Sequence, residues 1–160
     1  MSDRLLFALT LLSALGCGLV AGIFFAFSTF VMRALGNLPP AQGMDAMKSI
    51  NVVVINPWFL TAFFGTAATC VLVIILSLWR WHDPGAAYLL VGSLLYLLGT
   101  VLVTMVFNVP QNNALKAVES ASAEGTRMWA DYLGSWTAWN HVRTLAALAA
   151  AVLLTLALCH

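Results

Sequence analysis

The sequence predicts an all-α protein, a bundle of four transmembrane helices with short interfacial helices in its two long connections. Three observations carry that prediction. Hydrophobic residues make up 62% of the 160-residue chain, against roughly 45–50% in soluble domains. Charged residues make up 8%, where roughly 25% is usual. The apolar residues also fall into four long runs, and about 20 such residues suffice to cross a bilayer core as a helix.

The length is that of a single domain, residues 1–160. A net charge of +1 without a basic stripe argues against nucleic acid as a partner. Cys17, Cys70 and Cys159 are scattered through apolar runs with no CxxC pair, so neither a zinc site nor a redox dithiol is indicated. They read as small buried hydrophobes.

The first span is placed at residues 5–32. Arg4 and the apolar run behind it resemble a secretory signal, but the run continues through Val31 and reads as a retained anchor. Gly18 and Gly22 have the spacing that lets helices approach closely, although membrane helices also tolerate glycine without using it. Phe24, Phe25, Phe27 and Phe30 suit either packing or the wall of an aromatic-binding pocket. Arg33 closes the span, where the helix dipole favours a cation. Beyond Pro39-Pro40, Met44, Met47, Ile50 and Val54 recur at helical spacing with Asp45 and Lys48 off the stripe, as in an interfacial helix.

The second span, residues 57–79, opens on Asn56-Pro57, a capping residue followed by a proline suited to the first helical position. A polar turn from Arg80 to Gly85 leads to the third span, residues 87–107. That span is expected to stop there because Val109 precedes Pro110, and a residue before proline avoids the α region. Trp129, Tyr132, Leu133 and Trp136 then repeat at amphipathic spacing. Their helix either ends or runs on into the fourth span, residues 140–158, with Gly134-Ser135 as a possible bend. The alanines of that last span favour close helix contact.

The expected location is the bacterial plasma membrane, as a multi-pass integral protein. Membrane lipid is an expected partner, and a homo-oligomer is compatible with the short chain. Orientation stays open. The long connections hold most of the lysine and arginine, which places them in the cytoplasm unless those cations serve a site.

Four antiparallel spans bring Arg33, Asn51, Asn56, Asn108, Asn112, Asn140, His141 and Arg143 to one side of the membrane. Trp136, Trp139 and Phe27 lie beside them in the chain. Each polar residue also has a structural reading: Asn56 and Asn140 as helix caps, Arg33 and Arg143 as snorkelling cations, His141 as an interfacial histidine. Residues two apart on a helix face different ways. Trp136, Asn140, Arg143 and Thr144 therefore share a face, with His141 at its edge. One histidine and a few carboxylates in the connections make a poor metal site. Haem held through His141 alone lacks a second histidine on that side.

Several segments in series, namely Phe24-Phe25-Ala26-Phe27-Ser28, Ile50-Asn51 with Asn56-Pro57, Asn108-Val109-Pro110 with Asn112, and Trp136 through Thr144, resemble the anthrone oxygenase-like integral membrane family. The resemblance spans nearly the whole chain through the order and spacing of these segments. It departs at Gln111 and Lys48, where leucine and glutamine are expected. The family implies oxidation of a polycyclic anthrone to an anthraquinone by dioxygen, without metal or flavin. His141, the only histidine on the polar side, would then be the base. Arg143, Asn140, Arg33 and Asn108 would supply donors to the enolate. Asn51, Asn56, Asn112, Trp136, Trp139 and Phe27 would bind a flat aromatic or quinone-like molecule. A non-enzymatic protein holding a lipid or quinone in the same cavity is the alternative.

Overall fold

The structure is a computed structural model that describes residues 3–160. The described chain is 87% helical, without strands, and forms five helices. These are α1 (Asp3–Gly36), α2 (Pro40–Val53), α3 (Pro57–Trp79), α4 (Ala86–Ala117) and α5 (Ala123–Ala157). All but α2 are long and apolar enough to cross a membrane. Around the bundle, α1 packs on α3 and α5, while α4 packs on the same two from the opposite corner.

Local chemistry fixes the helix ends. The Asn56 side chain accepts a hydrogen bond from the Phe59 amide at 3.0 Å, and Pro57 takes the first helical position of α3. Ser122 caps α5 through the Gly125 amide at 2.9 Å. At the other end of the bundle, Arg80 joins Asp83 at 2.6 Å and Asp3 at 2.8 Å, tying the turn after α3 to the start of α1. Gly85, with φ of +85°, makes the left-handed step into α4.

Two helices run further than the sequence suggests. α4 does not stop at residue 107; it passes through Pro110 to Ala117, with Val109 in the α region. Immediately before the proline, Thr104–Asn108 widens into a π-helical turn. Such a turn gives room where a proline ring would otherwise strike the carbonyl four residues back. The fourth span likewise begins well before residue 140, because α5 is unbroken from Ala123. Gly134-Ser135 does not interrupt it. The second long connection is therefore the ends of α4 and α5 plus a short linker, whereas the first holds α2 as a separate helix.

Two apolar clusters make the core. One joins the four spans through residues such as Val20, Phe63, Tyr96 and Leu154. The other seats Met44 and Met47 of α2 against Leu35, Leu115, Trp129 and Tyr132. Small residues set the helix spacing: Ala147 and Ala150 of α5 are fully buried and Gly99 abuts Ala146, as the alanine-rich last span predicts. Gly18 and Gly22 have nothing within 4 Å of an added Cβ, whereas at Gly16 that atom would overlap the Thr66 side chain. Gly16→Val is expected to lower the thermal midpoint in detergent by the equivalent of about 1–3 kcal/mol, the usual effect of overpacking. Gly18→Val serves as the control and should leave the midpoint unchanged.

α3 lies close against Ala86–Leu94, more sparsely on Leu95–Leu102, and barely on Thr104–Asn108. The pair opens toward the end covered by α2. Cys17 and Cys70 are buried in the bundle, while Cys159 is exposed, unlike its expected burial.

Candidate functional site

In that opening, beneath α2, lies a cavity of about 850 Å³. This is within the usual range of small-molecule sites. Aromatic rings form much of its wall, among them Phe24 and Phe27 of α1, Phe59 and Phe63 of α3, and Trp136 of α5. Phe27 and Trp136 have ring centroids 5.7 Å apart, and Phe59 stacks on Phe63 at 5.8 Å.

Arg143 supplies the charge at the floor. Its residue is only 3% exposed. One Nη donates to the Asn140 side-chain oxygen at 2.7 Å, the other to the Thr104 hydroxyl at 3.3 Å. The guanidinium lies between two rings, 4.1 Å from the Phe24 centroid and 4.9 Å from that of Trp136. Among the described residues no carboxylate pairs with it, and its Nε has no partner. An arginine inside a membrane helix costs roughly 2.5–3.5 kcal/mol on insertion scales. A desolvated cation–π contact returns about 2 kcal/mol. The rings offset much of the burial without neutralising the charge.

Asn140 is fully buried and positions this arginine. Its amide donates to the Phe24 carbonyl and to Ser28 Oγ, both at 2.7 Å, locking α5 to α1 just before the π-helical turn at Phe27–Val31. Asn112 Oδ1 accepts from the Tyr132 hydroxyl at 2.8 Å and the Trp136 indole at 2.9 Å. Asn51, on α2, also lines the cavity. Its Nδ2 is buried and has no partner among the described residues. Asn108 donates to the Trp136 carbonyl at 3.2 Å behind the wall.

Of the residues singled out from the sequence, Arg143, Asn51, Asn112, Trp136 and Phe27 line the cavity, with Asn140 and Asn108 as supports. Four do not reach it, which corrects the expected site. His141 is exposed and faces away, because two residues along a regular helix turn it to the far side from Arg143. Arg33 is exposed and without a partner on the last turn of α1. Asn56 is occupied as the cap of α3, and Trp139 stacks on Phe107 at 3.6 Å. Phe59, Phe63 and Lys116 belong to the cavity and were missed. A pair of phenylalanines one turn apart just after Asn56-Pro57 was the available sign of the first two. Lys48 was noticed only as a polar residue off the apolar stripe of α2 and as a departure from the family pattern.

The helix bundle thus encloses an aromatic cavity with a buried cation at its floor, unpaired with any carboxylate among the described residues. The family model described as anthrone oxygenase matches residues 58–153, from α3 through most of α5. The chain belongs to the anthrone oxygenase family. No curated protein and no solved structure matches it.

Proposed function

We propose that the protein oxidises an anthrone-like polycyclic aromatic ketone with dioxygen, using no cofactor, and that Arg143 holds the substrate as its enolate. The observation that carries this reading is a buried arginine that lines an aromatic cavity and has no carboxylate partner among the described residues. A guanidinium fixed in advance where negative charge develops stabilises that charge without reorganising. Asn51, which also lines the cavity, carries a second donor without a partner among the described residues.

The methylene of an anthrone is acidic, and binding the enolate oxygen at Arg143 makes it more so. The proton leaves to water at the hydrated rim of the cavity. The enolate gives one electron to dioxygen, and the resulting pair joins to form a carbon–oxygen bond at the former methylene carbon. The peroxide anion takes a proton back from water, and the hydroperoxide so formed loses water to give the second carbonyl. One dioxygen is consumed, with one of its atoms ending in the quinone and the other in water.

The test is oxygen uptake by protein in mild detergent when an anthrone is added, with anthraquinone followed by its absorbance. His141→Ala is expected to retain activity within about twofold of wild type, since an exposed side chain outside the cavity contributes little to the transition state. Loss of uptake in His141→Ala, with the fold intact, would restore the histidine as base. No uptake with any anthrone, together with a co-purifying lipid or quinone, would favour the non-enzymatic binder.

A further inference from the structure

Two residues that line the cavity carry buried side-chain atoms without a partner among the described residues, Arg143 Nε and Asn51 Nδ2, and both are donors. The acceptors of Asn112 and Asn140 are already taken, Asn112 Oδ1 by two donors and Asn140 Oδ1 by Arg143; Asn108 Oδ1, behind the wall and outside the lining, has no partner among the described residues. Two further cations line the same cavity, Lys48 from α2 and Lys116 from the last turn of α4, and no aspartate or glutamate does. The Lys48 ammonium is fixed by the Val118 carbonyl at 2.6 Å and Ser120 Oγ at 2.9 Å. An ammonium has three hydrogens, so one is left over. Asp45 accepts from Ser120 and forms no ion pair with either lysine. Lys116 is exposed, with no hydrogen-bond partner among the described residues.

These groups are graded by depth. Lys48 and Asn51 lie on one face of α2, Lys116 and Asn112 on one face of α4, and the two helices pack together. Arg143 and Trp136 lie deeper and are buried. From Thr104, which touches Arg143, to Lys116 the rise along α4 is about 18 Å. One cation at the floor and two at the rim, along an aromatic wall, form a site for a ligand that is acidic at both ends.

We infer that the substrate carries, besides its enolisable ketone, an aryl carboxylate that Lys48 and Lys116 receive at the rim while the ketone oxygen meets Arg143. The inference rests on the reading of this cavity as the substrate site, and names the class of molecule it selects. A neutral anthrone would fill the rings and the floor but leave the rim cations facing water.

Binding of two non-oxidisable probes tests it, an anthraquinone carboxylate and unsubstituted anthraquinone, each titrated by tryptophan quenching in nonionic detergent. The acid is expected to bind about tenfold more tightly, an ordinary gain for one charge-assisted pair at a part-hydrated site. Lys116→Gln should remove most of that preference and leave the affinity for anthraquinone unchanged, while Lys116→Arg should keep it. Equal binding of the two probes, or a preference that survives both Lys116→Gln and Lys48→Gln, would overturn the inference. So would competition by dodecanoate as strong as that of the aryl acid, since the site would then select a lipid anion. Acid preference without oxygen uptake on any anthrone would sustain this selectivity and remove the oxygenase reading. Oxidation of acid and neutral anthrones with equal binding would do the reverse.

Discussion

Replacing Arg143 by methionine is expected to reduce kcat/KM for anthrone-dependent oxygen uptake by about 100-fold or more, the usual consequence of removing one preorganised donor to a developing oxyanion. Stability should change little, because relief of the buried charge is set against the loss of the donor to Asn140 Oδ1. The guanidinium is buried without a carboxylate, and exchanging such a charge for an apolar side chain of similar length relieves desolvation. Thermal unfolding in detergent, run beside the oxygen electrode, separates the two effects. Arg143→Lys keeps the charge but loses the planar fork that sits between Phe24 and Trp136 and reaches both Asn140 and Thr104. It should recover only a small part of the activity. A methionine variant that is both unstable and inactive would mean the arginine holds the bundle together instead of acting on substrate.

Asn140→Leu is expected to harm both properties. Its side chain makes three hydrogen bonds at 2.7 Å, to Phe24, Ser28 and Arg143, all within the packed interior. Leucine fits the volume but leaves those partners unsatisfied, and each such buried group costs about 1–3 kcal/mol. A loss of about 3 kcal/mol in stability is expected, with a fall in kcat/KM as Arg143 loses its anchor. Asn140→Asp should restore the contact to the arginine while disturbing the Phe24 carbonyl, which an ionised carboxylate cannot serve as a donor. An Asn140→Leu variant as stable as wild type would show that α1 and α5 are held by their apolar contact alone.

Much of this arrangement was legible before any coordinates. Alternating spans gather their polar ends on one side, and that alone brought Asn51, Asn112, Trp136 and Arg143 together. Helical phase already put His141 on a different face from Arg143; the base assignment went against that phase because no other histidine was at hand. Arg33 was misplaced because connectivity gives the end of a helix but not the direction of its last turn. The wall contributed by α3 was only faintly marked, by the phenylalanine pair after Asn56-Pro57, for a simpler reason. That helix is apolar on nearly every face, so no contrast marks the side that turns inward. The run of α4 through Pro110 depended on a widened turn that no residue type announces.

The unbroken course of α5 also sets how solvent ions meet the two ends of the cavity. Arg143 is 14 residues from Ala157, the end of the helix, so it sits about 21 Å along the axis from that boundary. A hydrocarbon layer of roughly 30 Å that began at this helix end would extend past the arginine. Mobile counterions do not enter such a layer, and the field of the guanidinium reaches a bound oxygen unattenuated by them. Lys116, in contact with water, lies within the Debye atmosphere of the medium. Ionic strength therefore acts as a depth gauge on this protein, dimming the attraction at the mouth while the interior charge keeps its full reach.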